Sequence, residues 1–258
     1  MTALQEKTAQ TSSKRLAGKI ALVTGGSRGI GAAIALRLAA EGATVAISYN
    51  SNKTAADKVV QQVSELGSKA IAVKANASSK EDNDALIAEI KKLGKVDILV
   101  NNAAIFEGGL IDAVNIDQYD RLFDTNVRGV VATTIAALTN FSDGGRIINI
   151  SSGAARANMP GFSFYAATKG AMEALTRGWA QDLGARQITV NAVAPGATVT
   201  DMMEQGLPSE MLPIIVEKTA LKRLGKPEDI AAAVAFLASS DGAWITGRVI
   251  DCDGGLSF

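Results

Sequence analysis

The chain has 258 residues, 47% hydrophobic and 20% charged, which suits one soluble domain with a substantial core. Lysine plus arginine and aspartate plus glutamate number 26 each, so there is no charge excess to attract nucleic acid or an anionic membrane, and neither is expected as a partner. Histidine is absent and Cys252 is the single cysteine, which excludes an intrachain disulfide, His- or Cys-based metal centres and Ser-His-Asp hydrolysis; proton transfer falls to Tyr, Lys, Asp or Glu.

Residues 1–15 (MTALQEKTAQTSSKR) are polar and lack an apolar stretch, so they read as a flexible tail and not as a signal peptide. No apolar run approaches membrane-spanning length, and the expected location is cytoplasmic. From 16 to 258 no composition break marks a linker, and a single domain is expected. Strands are predicted at 20–24, 44–49, 70–74, 98–101, 146–151, 189–194 and 248–251. Helices are predicted at 29–41, 53–66, 80–93, 116–140, 161–183, 209–219 and 227–239. The strands (IALV, VDILV, ITVNAVA) are apolar on both faces, as strands covered by helices on both sides are. Repeated strand–helix units predict the α/β class, a Rossmann-type doubly wound parallel sheet with helices on both faces. The Met- and Pro-containing piece 201–224 interrupts the alternation and is expected to form a lid over a substrate.

The first strand runs into Thr24-Gly-Gly-Ser-Arg-Gly-Ile-Gly31 and then a helix. Glycines at 25, 29 and 31 let the backbone turn and approach a ligand, and the helix N-terminus offers N–H groups to a pyrophosphate. The spacing departs from the G-x-G-x-x-G fingerprint, so context carries the reading; the alternative is an ordinary glycine-rich turn. The second strand ends at Ser48-Tyr49-Asn50-Ser51-Asn52-Lys53, without the acid that would bind a ribose 2′-OH. With Arg28 in the loop, this predicts NADP(H) as preferred cofactor over NAD(H); alternatively, Lys53 only opens a solvated helix.

Tyr165 and Lys169 are spaced to share one helix face, and Ser152 ends a strand upstream. An ammonium near a phenol is expected to lower a pKa that starts near about 10, making tyrosine an acid/base group. The competing reading is a strand, a polar loop and an Ala-rich helix with no chemistry.

The motifs Thr24-Gly-x-x-x-Gly-Ile-Gly31, Asn101-Asn-Ala-Ala104, Asn126, Ser152, Tyr165-x-x-x-Lys169, Pro195-Gly196 and Asp253-Gly-Gly255 stand in an order that resembles the short-chain dehydrogenase/reductase family, over nearly all of 16–258. The resemblance implies reversible hydride transfer between NADPH and a carbonyl, without a metal. It implies Gly25, Ser27, Arg28, Gly29, Ile30 and Gly31 around the pyrophosphate, and Tyr49, Asn50 and Ser51 near the 2′-phosphate. Asn76 and Ala77 would border the adenine, where the family often has Asp-Val. Asn102, Ala103 and Ala104 would line the adenosine ribose side, Ala104 replacing a common glycine. Pro195, Gly196, Thr198 and Thr200 would meet the nicotinamide end. Ser152 would orient the substrate carbonyl, Tyr165 would move the proton, Lys169 would bind the nicotinamide ribose and tune Tyr165, and Asn126 would hold a relay water. Structural roles compete at three places: Asn126 as a helix kink, Asn101 as a sheet support, and Thr200 with Asp201 as a helix cap.

Within the family the chain is most similar to 3-oxoacyl-carrier-protein reductases and related ketoreductases. Arg186 matches a basic docking position of the former, but Asp143 stands where another base often sits. A reductase of small ketones or aldehydes, equally an oxidase of secondary alcohols, is therefore expected. The alternatives are a 3-oxoacyl-carrier-protein reductase, an NAD-dependent sugar or steroid alcohol dehydrogenase, and a non-catalytic NADP-binding sensor. The family is usually tetrameric, which implies a homotetramer.

Overall fold

Seven apolar runs form seven strands, the five inner ones buried by helices on both faces and the two edge strands partly open. The computed structural model describes residues 14–157 and 159–256. The tail expected over 1–15 lies, except for Lys14 and Arg15, outside the described residues. Arg15 already belongs to the fold: its guanidinium donates to both carboxylate oxygens of Glu41 and to Asp241.

The elements follow in the order β1 (Ile20–Val23), α1 (Gly29–Ala40), β2 (Thr44–Tyr49), α2 (Lys53–Glu65), β3 (Ala70–Lys74), α3 (Lys80–Lys91), β4 (Val96–Asn101), α4 (Ile116–Phe123), α5 (Gly129–Leu138), β5 (Phe141–Ile150), α6 (Ser163–Asp182), β6 (Thr189–Pro195), α7 (Asp201–Gly206), α8 (Met211–Lys218), α9 (Pro227–Ala238) and β7 (Val249–Cys252). The sheet order is β3-β2-β1-β4-β5-β6-β7, parallel throughout. Successive strand residues point to opposite faces. Val23, Ile47, Val100 and Ile148 therefore join α1, α2 and α9 in one core, while Leu22, Ala46, Leu99 and Ile147 join α3, α5 and α6 in the other. No helix among the described residues is long and apolar enough to cross a membrane.

Three segments differ from expectation. The helix read over 116–140 is split by a π turn, Asp124–Arg128, centred on buried Asn126. The Asn126 side chain accepts from Ile105 N at 2.8 Å and donates to Ile105 O at 2.9 Å, and this long-range pair holds the widened turn in place. Strand β5 begins five residues before 146, at Phe141, which pairs with Val96 before the register shifts and Arg146 meets Ile98. Gly144, at φ +73°, carries the chain through that irregularity. In the expected lid, α7 precedes α8 and is capped by Thr200, whose hydroxyl accepts from Met203 N.

A buried polar ladder ties the sheet to two helices. Asn101 Nδ2 donates to Asn149 Oδ1 (2.8 Å) and Thr134 Oγ1 (3.0 Å), and Asn149 Nδ2 donates to Thr176 Oγ1 (2.9 Å). Asn101 therefore supports the sheet, the structural role weighed for it above. Replacing Asn149 by Ala leaves an Asn101 donor unpaired in the interior. Urea unfolding should show a loss of about 1–3 kcal/mol; an unchanged midpoint would mean the ladder adds no net stability.

Candidate active site

The carboxyl ends of β1, β4, β5 and β6 form one edge, and the strand order reverses between β1 and β4, where open α/β sheets bind ligands. The glycine loop lies at that point. Thr24 Oγ1 accepts from Asn102 N (2.9 Å) and Ala103 N (3.0 Å), and Asn102 Nδ2 donates to Thr24 O (2.9 Å) and Gly25 O (3.1 Å). Asn102 and Ala103 thus brace the loop from behind, and Ala104 continues the exit from β4. On the other side Gly25 N and Gly26 N donate to Ser48. Gly25 sits at φ +62°, and a Cβ at Gly31 would lie 2.3 Å from Gly25 O, so neither position accepts a side chain without backbone movement. Ser27 and Ile30 are partly buried within this loop. Helix α1 starts at Gly29 with no side-chain cap from Arg28 and no acid in its first turn. Its first N–H groups and positive dipole end are open to an anion.

The residues predicted for the far end of a dinucleotide lie at and beyond the carboxyl ends of β2 and β3. Tyr49 is buried at the end of β2, while Asn50 and Ser51 are exposed beyond it. Arg28 reaches Asp201 at 3.4 Å and Lys53 pairs with Asp57 at 2.7 Å, all four side chains being largely exposed. Asn76 Oδ1 accepts from Ser78 N and Ser78 Oγ, so that oxygen is engaged in a local turn. Ala77 packs against Gly129 and accepts a hydrogen bond from Asn83. From β6, Gly196 N donates to Cys252 O, Thr198 Oγ1 donates to Gly196 O, and the Thr200 methyl stands 3.4 Å from a Cβ built at Gly29. Pro195 closes β6, its carbonyl facing Gly153 just after Ser152. The late residues and the glycine loop thus share one rim.

Next along the edge, Ser152 stands two residues beyond the end of β5, and α6 carries Tyr165 (9% exposed) and Lys169 (4%) one turn apart. Lys169 Nζ donates to Ile150 O at 2.9 Å and lies 5.6 Å from the Tyr165 ring centroid. Ser152 Oγ accepts from Ala154 N at 3.1 Å and lies close enough to the phenol to influence its proton. Burial pushes the Tyr165 phenol up to about 12, against the smaller downward pull of Ser152. Burial pushes the Lys169 ammonium down to about 8. The expected lowering of the phenol by Lys169 is therefore not found: the ammonium is aimed at a backbone carbonyl, and desolvation dominates. Asn126 approaches the group through Thr168, whose hydroxyl accepts from its Nδ2 at 3.2 Å.

A cleft of about 600 Å³ opens on the far side of Phe106 and Phe162 from these residues, Phe106 being the ring that joins it to Tyr165. Pro160 and Phe162 line it from the connection between β5 and α6, and Gln205 and Gly206 line it from α7. Phe106, which the sequence did not single out, meets Tyr165 edge-on at 5.1 Å and Phe162 at 4.9 Å. A Cβ at Gly206 would lie 2.8 Å from the Phe106 ring, so α7 rests directly on it. Glu107 at the rim is held by Arg121 at 2.6 Å, which keeps its carboxyl below the ordinary range. No cluster of metal-ligating side chains occurs among the described residues.

Residues 25–257 match a family model described as enoyl-(acyl carrier protein) reductase. An uncharacterized oxidoreductase of Methylorubrum extorquens is 45% identical over 245 residues, covering 94% of this chain and 99% of the relative. A short-chain dehydrogenase/reductase of Pestalotiopsis microspora is 41% identical over 254 residues, covering 93% and 96%. Among solved structures, a short chain dehydrogenase from Burkholderia cenocepacia in complex with NADP aligns with a TM-score of 0.89 at 43% identity, covering 94% of this chain and 99% of that one. The chain belongs to the short-chain dehydrogenase/reductase family, oxidoreductases acting on CH–OH and C=O groups.

The depressed Lys169 pKa gives a stability signature. Below pH 8 the buried ammonium destabilises the fold in full; between about 8 and the ordinary 10.5 the unfolded lysine keeps its proton while the folded one loses it, so stability rises with pH. Relative to Lys169→Met, the wild-type unfolding free energy should gain up to about 3 kcal/mol across that window. Parallel curves for the two proteins would refute the shift.

Proposed function

We propose that the protein is an NADPH-dependent carbonyl reductase, working reversibly on secondary alcohols, with Ser152, Tyr165, Lys169 and Asn126 as its proton-handling residues. The observation that carries this reading is the buried Tyr165–Lys169 pair beside Ser152, set between an uncapped, glycine-lined helix end and the cleft lined by Phe106 and Phe162. The glycine cradle fits a diphosphate: Gly25, Ser27, Arg28, Gly29, Ile30 and Gly31 would hold it. Pro195, Gly196, Thr198 and Thr200 would face the nicotinamide, which when bound supplies the hydride.

Tyr165 and Ser152 both donate to the substrate oxygen. As that oxygen gains negative charge, two donors already aimed at it stabilise it without reorganising. Tyr165, held at about 12, keeps its proton until this charge develops and then releases it. Lys169, near 8, is largely protonated at neutral pH and serves as the proton reserve behind the phenol. The side-chain amide of Asn126 is already committed to Ile105 and Thr168, so a relay water there would be held by the main chain of the π turn.

Preference for NADP over NAD rests on the absence of an acid at the end of β2 and on Arg28. Its contact with Asp201 is long and exposed, and such pairs contribute little; a 2′-phosphate would displace it. A small ketone or aldehyde is favoured over a carrier-protein thioester because Asp143, 2.8 Å from Arg186, sets an exposed carboxylate where an acidic carrier protein would dock. Exposed Ile116 and Ile135 on α4 and α5 support assembly as a homotetramer, and the same reading places the enzyme in the cytoplasm.

Tyr165→Phe should keep NADPH binding and lower kcat/KM by about 10²-fold, as followed by NADPH oxidation against a panel of carbonyls. Near-normal turnover would sink the assignment, and binding without turnover of any carbonyl by the wild type would favour a sensor. Arg28→Glu should weaken NADPH far more than NADH in fluorescence titrations; equal weakening would refute the 2′-phosphate reading.

A further inference from the structure

Glu173 is a buried carboxylate that the proposed reaction does not use. It follows Tyr165 and Lys169 on α6 at the next helical interval, so all three lie on one face, and it is 8% exposed. A glutamate is seldom this buried without a partner. Its hydrogen-bonding and ion-pair partners come from the chain around Ser152. Ser151 Oγ donates to Glu173 Oε1 at 3.1 Å and also contacts Lys169 O at 3.3 Å. Arg156 Nε stands 3.7 Å from the same Oε1. The other prongs of the Arg156 guanidinium engage both oxygens of Asp251 on β7, Nη1 at 3.0 Å and Nη2 more closely. One carboxylate on α6 therefore grips the residue immediately before Ser152 and, through a fork that also holds β7, the residue at the far end of the following turn.

The segment between these grips has little else to locate it. Gly153, Ala154 and Ala155 form a single 3₁₀ turn with no buried side chain, and the turn is capped by the Ser152 hydroxyl itself. Packing cannot fix the serine here, whereas a two-pronged guanidinium–carboxylate contact fixes direction as well as distance. Of the three charged side chains only Glu173 is buried, and half-exposed ion pairs contribute little to stability, so stability alone gives a weak account of the cluster.

We propose that Glu173, Arg156 and Asp251 form a positioning hub that holds Ser152 in register with Tyr165. The inference rests on the proposed role of Ser152. None of the three touches the reacting atoms; each acts through the serine.

The test is non-additivity. Arg156 is half-exposed, so Arg156→Ala should fold with little change in thermal midpoint. It should lower kcat for carbonyl reduction by about tenfold or more, the scale of a small misplacement of a catalytic group, while leaving KM and the fluorescence-measured Kd for NADPH nearly unchanged. In a Ser152→Ala background the same substitution should change kcat less than about twofold, because the group it positions is gone. Glu173→Gln, which keeps an acceptor for Ser151 but removes the charge facing Arg156, should reproduce the loss, and the double variant Arg156→Ala/Glu173→Gln should be no worse than either alone. Equal losses of kcat in both serine backgrounds, or a loss confined to KM or thermal midpoint, would overturn the hub. If Ser152→Ala alone left turnover unchanged, the serine's proposed role would fall and the hub with it. Additive losses with a serine-dependent turnover would remove the hub alone.

Discussion

The hydrogen bond from the Lys169 ammonium to the carbonyl of Ile150 governs the arrangement around it. A buried ammonium needs an acceptor, and the one within reach is the last residue of β5. Meeting it fixes how α6 lies on the sheet. That in turn sets Tyr165, one turn earlier, at the level where Ser152 leaves the strand. The same burial that strains the lysine lets the phenol keep its proton, so two opposite pKa displacements come from one dry pocket. With no histidine in the chain, titration next to neutral pH falls to Lys169, near 8.

Around this point the fold supplies rigid edges and one softer one. The glycine loop is clamped between Ser48 on one side and Thr24, Asn102 and Ala103 on the other, so a ligand meets a preformed cradle. The cleft wall made by α7 has no such anchoring. It touches the rest through Phe106, through the Thr200 cap and through the exposed Arg28–Asp201 contact. In the proposed reading the cofactor would lie against sheet ends, and the substrate against short helices and loops, where sequence can vary without disturbing the core.

Much of this was readable in advance, for physical reasons that also explain the rest. Strands such as IALV and TVNAV stand out because both their faces are covered, and Tyr165, Lys169 and Ser152 stand out because their chemistry and spacing are unusual together. The early part of β5 was hidden by Ser142-Asp143-Gly144-Gly145, which reads as a turn and does distort the ladder. The π turn was hidden because 116–140 keeps a helical pattern throughout; its cause lies at Ile105, far off in sequence. Thr24, Phe106 and Glu173 each matter through a neighbour that only the folded chain provides. Spacing also placed Lys169 on the correct face without revealing which atom its ammonium would choose, and there the electrostatic expectation failed.

The wide turn at Asp124–Arg128 carries its extra residue locally. A π turn holds one residue more than the α-helical turn it replaces, and because that residue is taken up within a single turn, the helix beyond it keeps nearly the facing it would have without it. Thr133 therefore reaches Asn83 and Thr134 reaches Asn101 at buried contacts while Asn126, within the turn, is directed at Ile105. One residue could be removed here with α5 still facing its partners, the loss being the grip on Ile105, whereas a removal inside α5 would rotate everything beyond it by about 100°.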